Sequence, residues 1–157
     1  MVDSRAGRFQ KTHMNDDLLK DGDDKKTKDA VLAALSFNAE GLIPAIAQQF
    51  DTGEVLMMAW MNADAVTETL ETGQVCYYSR SRGKLWRKGE SSGQTQTLKD
   101  LRWDCDGDTI LLLVDQIGVA CHTGRANCFF NAVRDGKPVE IQAVITDPDV
   151  LYGKKTD

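Results

Sequence analysis

Residues 41–61, GLIPAIAQQFDTGEVLMMAWM, predict how the folded part of the chain begins. Two runs rich in apolar residues meet at the tripeptide DTG, residues 51–53. Aspartate and glycine are common in tight turns because they accept the backbone angles that such turns need. The segment therefore predicts two strands joined by a short turn.

The next segment, NADAVTETLETG at 62–73, predicts a helix. Asn62 can cap its N-terminus, and Gly73 can end it, since glycine readily adopts the left-handed conformation that follows many helices. Four residues at spacings of three and four share one face: Ala65, Val66, Thr69 and Leu70. This face is expected to pack on the strands.

After residue 73 the apolar period falls towards two, which predicts strands. The segments are QVCYYSRSR, GKLWRKG, TQTLKDLRWD and TILLLVD, with turns at Gly83, residues 91–93 and Gly107. The remainder, GVACHTGRANCFFNAV and PVEIQAVIT, continues the strand pattern. The predicted class is α+β, with a mainly antiparallel sheet and one or two helices.

The chain has 157 residues, which suits one domain with its own core. Residues 1–29 alternate acidic and basic side chains with few apolar ones, so they predict a flexible charged leader before a single domain at 30–157. The leader lacks the apolar core of a signal peptide, and no apolar run approaches the ~20 residues of a membrane span. A cytoplasmic protein is expected.

A net charge of −5 disfavours a general nucleic-acid or membrane-surface partner. One segment departs from this acidic character, since SRSRGKLWRKG at 79–89 contains no acid. Its cations are Arg80, Arg82, Lys84, Arg87 and Lys88. They fit either a local anion site or a strand edge whose charges discourage association.

The stretch RWDCDGDT, 102–109, places Asp104, Asp106 and Asp108 at alternate positions. It does not match a calcium-binding EF-hand loop, because Thr109 stands where that loop needs glycine. The three carboxylates would share one face of a strand or converge around Gly107. They fit a site for a hard cation of another shape, or a polar turn.

Four cysteines in a reducing compartment indicate metal binding or catalysis before disulfides. Cys76, in VCYY, fits a small buried hydrophobe, whereas Cys105, Cys121 and Cys128 lie in polar or glycine-rich surroundings. Three thiolates would leave zinc an open position for water, which is typical of a catalytic site, with His122 as the candidate base. Alternatively, His122 or Cys76 completes a closed four-ligand site in a non-catalytic module.

Several motifs together resemble the phosphoribosyl-AMP cyclohydrolase family of histidine biosynthesis. They are GEVLMMAWMN (53–62), YYSRSRGKLWRKGESSGQTQ (77–96), DCDGD (104–108) and GVACHTG with NCFF (118–130). The resemblance covers about residues 40–131 in one order and with one spacing. A third interpretation, an RNA binder using Trp86, Tyr77 and Tyr78 with the arginines, is disfavoured by the acidic charge.

The resemblance implies hydrolytic opening of the adenine ring at N1–C6 of phosphoribosyl-AMP, by a homodimer with shared metal sites. It implies one Zn²⁺ per subunit on Cys105, Cys121 and Cys128, with Cys105 reaching across the dimer. It also implies Mg²⁺ on Asp104, Asp106 and Asp108.

Within this scheme His122 would handle protons. The expected substrate-binding residues are the five cations of 79–89 with Ser91 and Ser92. One position departs from the family pattern: Gln94 stands where relatives often have histidine, so a proton-shuttling role there is not carried over. The chain is expected to perform one step only.

Overall fold

The computed structural model describes residues 24–153. Within this range the chain forms three helices and eight strands: α1 (Asp24–Ala34), β1 (Ile43–Gln49), β2 (Val55–Met61), α2 (Ala63–Thr72), β3 (Cys76–Ser79), β4 (Lys84–Arg87), β5 (Gln96–Trp103), β6 (Ile110–Gln116), β7 (Asn131–Arg134), β8 (Lys137–Glu140) and α3 (Pro148–Tyr152). The α+β class and the mainly antiparallel pairing are confirmed. The number of helices is three, rather than the one or two expected.

The central sheet has the strand order β2-β1-β6-β5. β1 pairs with β2 and β6 with β5 in antiparallel fashion, whereas β1 and β6 are parallel. Ile43, Ala45 and Ala47 alternate along β1 and are fully buried, so one face of the sheet carries the core. The remaining strands form two separate antiparallel hairpins, β3-β4 and β7-β8.

The predicted helix is confirmed as α2, with both of its predicted ends. The Asn62 side chain accepts a hydrogen bond from the Ala65 amide at 2.8 Å, and Gly73 adopts φ 69° beyond the last turn. All four residues of the predicted apolar face are buried. On this face the Thr69 hydroxyl accepts from the Cys76 amide at 2.9 Å, which ties α2 to β3.

The strand pattern predicted for GVACHTGRANCFFNAV is confirmed only for its last three residues, which lie in β7. It is wrong for the rest, because residues 117–130 form a loop, here called the cysteine loop. Gly118 and Gly124 have φ of 65° and 83°, values that a strand does not contain. The Cys121 amide donates to the Arg125 carbonyl at 3.2 Å, so the loop closes on itself. Of PVEIQAVIT, only residues up to 140 belong to a strand.

The prediction for residues 1–23 lies outside the described residues. The domain boundary predicted at residue 30 falls inside α1, since this helix begins at Asp24. Its first turns carry charges rather than an apolar stripe, including a Lys25–Asp29 ion pair at 3.0 Å, whereas Val31 and Leu32 pack on the core. No helix between residues 24 and 153 combines the length and hydropathy that crossing a membrane requires.

Candidate active site

Two of the three predicted thiol ligands lie together in the structure. Cys121 and Cys128 come from opposite sides of the cysteine loop, and their thiols are close enough to interact by hydrogen bonding. The Cys128 amide donates to the Leu56 carbonyl of β2 at 2.8 Å, which fixes this end of the loop to the sheet. The Thr123 hydroxyl donates to the Cys121 sulfur at 3.0 Å.

Both thiols are at least partly shielded from water, since Cys121 is only 4% exposed and Cys128 is half-buried. Burial raises the pKa of Cys128 to about 12, and the neighbouring Cys121 adds to this rise because two nearby thiolates would repel each other. Without a cation the Cys128 thiol therefore stays protonated at neutral pH. Such a pair suits a metal ion, whose charge would stabilise both thiolates.

Lys88 brings a positive charge to the same place. It is only 8% exposed, and its ammonium group lies 6.0 Å from the ring centroid of Trp86. Burial lowers the pKa of Lys88, while Cys128 and Cys121 act in the opposite direction. A buried ammonium group beside two thiols creates a local preference for anions.

A cavity of about 540 Å³ opens beside these groups. Six of the residues selected from the sequence line it: Arg82, Lys88, Ser91, Ser92, His122 and Cys128. Two loop segments contribute to the wall of the cavity, the 88–92 turn that follows β4 and the cysteine loop, and residues 57–59 of β2 also line it. Sequence reasoning missed Tyr152 of α3, which also lines the cavity, since a helix of five residues gives no periodic signal.

A second cavity, of about 380 Å³, adjoins the first and shares Arg82 and Trp86 with it. Arg80 lines this cavity, and its guanidinium lies 5.0 Å above the ring of Trp60. Of the remaining predicted anion-binding residues, Lys84 is exposed on β4. Arg87 forms an ion pair of 2.8 Å with Glu68 of α2. Neither residue lines either cavity, so their contact with substrate stays a prediction.

The acidic stretch forms the turn between β5 and β6, here called the acidic turn (residues 104–109). The carboxylates of Asp104, Asp106 and Asp108 each place an oxygen within 4.8 Å of the others, so they converge around Gly107, one of the two arrangements expected. Desolvation opposes a low pKa at Asp104, but hydrogen bonds from Asp108 and the Thr109 amide lower it. The same contact and the charge of Asp106 raise the pKa of Asp108. Three oxygen donors held this close suit a hard divalent cation.

Cys105 lies in the acidic turn and is exposed. Among residues 24–153, the three aspartates form the only group of three or more metal-binding side chains, so Cys105 does not join Cys121 and Cys128 within one chain. Cys76 is also separate, because its thiol donates to the Tyr77 carbonyl at 3.7 Å and contacts Glu68. One chain thus offers a thiol pair, of which Cys128 lines the cavity, and a third thiol on an exposed turn.

Comparison with known proteins supports an assignment to a family. The family model for phosphoribosyl-AMP cyclohydrolase matches residues 57–130. A phosphoribosyl-AMP cyclohydrolase of Paramagnetospirillum magneticum is 69% identical over 125 residues, which cover 80% of this chain and 95% of that protein. One from Rhodospirillum rubrum is 66% identical over 125 residues, with 79% and 87% covered. One from Alkalilimnicola ehrlichii is 68% identical over 124 residues, with 78% and 87% covered. The chain therefore belongs to the phosphoribosyl-AMP cyclohydrolase family, whose members are hydrolases that act on a C–N bond.

Proposed function

We propose that this enzyme opens the adenine ring of phosphoribosyl-AMP between N1 and C6, a step of histidine biosynthesis. One observation carries the proposal: Cys128 of the thiol pair, the buried ammonium group of Lys88 and His122 line a single cavity. The cavity of about 540 Å³ is large enough for a nucleotide, since ligand pockets typically measure ~300–1,000 Å³. Its aromatic side chains, Trp86 and Tyr152, suit contact with a purine ring.

The proposed zinc site combines two copies of the chain. Cys121 and Cys128 fit as two of the ligands, because their thiols are within hydrogen-bonding reach of each other and the raised pKa of Cys128 means that a cation would help it to ionise. Cys105 is the third, and its exposed position on the acidic turn would let it enter the cavity of a second subunit. A zinc ion held by three thiolates keeps one open position, at which it would activate a water molecule.

The reaction needs one addition and proton transfer at two points. Water gives up a proton to a base as its oxygen adds to C6 of the purine, the C6–N1 bond then breaks, and N1 takes a proton as it leaves. His122 lines the cavity and is exposed to it, and a histidine can both accept and donate a proton near neutral pH. We assign His122 to this proton transfer.

The two phosphate groups of the substrate would bind at two cationic regions. Lys88, Ser91 and Ser92 line the first cavity, while Arg80 lines the adjoining one and Arg82 lies between them. If Cys105 crosses the dimer, the three aspartates cross with it, because they belong to the same turn. A magnesium ion held there would help to neutralise the phosphates. A cytoplasmic location is part of the proposal, since the thiolate ligands require a reducing compartment.

The first test compares two cysteine variants. Cys121→Ala should lose both bound zinc and ring opening, followed by ultraviolet absorbance. Cys76→Ala is the matched control, because Cys76 is buried away from the cavity and should retain both properties. Normal turnover by Cys121→Ala would contradict the proposal.

A second test addresses the shared site. Cys105→Ala and Cys121→Ala proteins should each be inactive, yet a mixed dimer contains one site with all three cysteines intact. Random reassembly of equal amounts should therefore restore about one quarter of the wild-type activity, since half of the dimers are mixed and each has one intact site. A zinc-loaded, active monomer in sedimentation would refute the shared site.

A further inference from the structure

Gln94 lies between two segments that line the cavity, the 88–92 turn and the cysteine loop. Its main chain packs against Gly89 in the 88–92 turn, where an added Cβ atom would lie 2.7 Å from the Gln94 carbonyl carbon and 2.6 Å from the Thr95 nitrogen. Gly89 has φ 83°, a conformation that favours glycine. The turn that carries Lys88, Ser91 and Ser92 is thus held close to the backbone of Gln94.

The side chain of Gln94 extends to the start of the cysteine loop. Its Oε1 accepts a hydrogen bond from the Val119 amide at 2.9 Å. The same oxygen occupies space beside Gly118, where an added Cβ would lie 1.7 Å from it. Gln94 therefore contacts a left-handed glycine of each segment: Gly118, three residues before Cys121, and Gly89 in the cationic turn.

The side chain of Gln116 also binds to Gln94 and so supports its contact with the cysteine loop. Its Nε2 donates to the Gln94 carbonyl at 3.2 Å and to the Ile117 carbonyl at 2.7 Å. Its Oε1 accepts from Gln96 Nε2 at 2.9 Å, and Gln96 in turn accepts from the Tyr77 hydroxyl at 2.7 Å. Tyr77 and Gln96 are completely buried, so water does not compete for the hydrogen bond between them.

We infer that Gln94 is a positioning residue that fixes the start of the cysteine loop relative to the cationic turn, so that His122 of the loop and Lys88 of the turn line one cavity. An amide does not titrate, so its contribution is geometric rather than a transfer of protons. The cysteine loop contains no strand, and its backbone bonds to the sheet lie at its two ends, where the Ile117 amide donates to the Thr95 carbonyl at 2.9 Å and the Cys128 amide to the Leu56 carbonyl at 2.8 Å. The catalytic role of the cavity rests on the proposed function, whereas the positioning of the cysteine loop by Gln94 does not.

The test measures the loop directly, on the protein as purified. Gln94→Met keeps the length of the side chain but removes the acceptor for the Val119 amide. Hydrogen exchange at Val119 and labelling of Cys121 by a thiol reagent, located by mass spectrometry, should each become about tenfold faster, the effect of one ordinary hydrogen bond on local opening. Labelling of Cys76 should not change, because Cys76 lies in the core.

Matched variants separate positioning from general destabilisation. Gln48→Met also removes a glutamine amide, which donates to the Gly53 carbonyl at 2.8 Å in the distant β1-β2 turn, and should leave Cys121 labelling unchanged. Gln94→Glu retains an acceptor and should restore most of the protection at Val119. Wild-type rates at Val119 and Cys121 in Gln94→Met, or equal acceleration in Gln48→Met, would overturn the inference.

A second-site experiment tests the contact itself. Gly118→Ala should loosen the loop, because its methyl group would meet the Gln94 amide. Adding Gln94→Ala should cause little further acceleration, since the contact is already broken. Fully additive effects would show that the two residues do not act together. Ring opening is measured in parallel: kcat/KM should fall about tenfold in Gln94→Met while Gln48→Met retains it. A wild-type protein without turnover would refute the proposed function and leave the labelling result to decide the inference.

Discussion

Replacing Lys88 with methionine should make the protein more stable and should weaken the binding of anions in the cavity. The ammonium group of Lys88 is buried, and no carboxylate among residues 24–153 forms an ion pair with it. Burial lowers the pKa of Lys88, which means that the folded protein carries this charge at a cost. Methionine fills the same elongated space, bordered by Trp86, without a charge.

The expected gain in the free energy of unfolding is about 1 kcal/mol at pH 7, or ~2–4 °C in melting temperature for a chain of this length. The gain also depends on pH. Because the pKa of Lys88 is lower in the folded than in the unfolded chain, the cost of burying the charge applies below the folded-state pKa. It should disappear as the pH rises to 10.5, where the unfolded lysine also loses its proton. The advantage of Lys88→Met should therefore shrink between pH 7 and pH 10.5.

Anion binding should change in the opposite direction. A hydrogen bond to a charged group contributes roughly 1.5–3 kcal/mol, so losing it should weaken phosphate-ester binding by about 10–150-fold. Urea unfolding at several pH values and calorimetric titration with AMP measure the two effects. Lys84→Met is the matched control, since Lys84 is exposed and lines neither cavity, and both quantities should stay near wild type. A destabilised Lys88→Met protein with unchanged AMP affinity would refute this account of Lys88.

Three further predictions concern the metals and α2. Asp108→Asn should raise the melting temperature of the metal-free protein at neutral pH, because Asp104 and Asp106 raise the pKa of Asp108 and repel its charged form. It should also reduce the stabilisation that Mg²⁺ confers, and an unchanged Mg²⁺ response would count against the aspartate site. Zinc binding should release protons, since the pKa of Cys128 is about 12 without metal. The apparent affinity for zinc should therefore rise about tenfold per pH unit for each proton displaced. Calorimetry in buffers of different ionisation enthalpy would show this proton release, and binding heats independent of the buffer would contradict it. Asn62→Ala should lower the free energy of unfolding by about 1 kcal/mol, because α2 loses its N-terminal cap. In urea unfolding, Asn62→Ser should be close to wild type. Equal stabilities of Asn62→Ala and wild type would contradict the capping role.

The elements predicted correctly depend on local signals. The β1-β2 hairpin has a turn tripeptide between two apolar runs, and α2 has a cap, a period and a glycine stop, so neighbouring residues are sufficient to specify them. The cysteine loop was mistaken for strands because its apolar residues, such as those around Phe129, resemble a strand. Its shape depends instead on left-handed glycines and on contacts with distant residues such as Gln94.

The site shows the same division between local and distant information. The convergence of the three aspartates follows from a turn centred on Gly107 and was among the expected arrangements. The ion pair between Arg87 and Glu68, by contrast, joins residues from β4 and α2. Tyr152 lies at the cavity because of the path that the chain takes after β8. Neither contact has a signal in the sequence around it.

The most direct test of the central claim is the rate of ring opening of phosphoribosyl-AMP by purified protein, measured against its zinc content. The proposal predicts that turnover rises in proportion to bound zinc, saturates at one ion per subunit, and increases further with Mg²⁺. Folded, dimeric, zinc-loaded protein that leaves the adenine ring closed would contradict it.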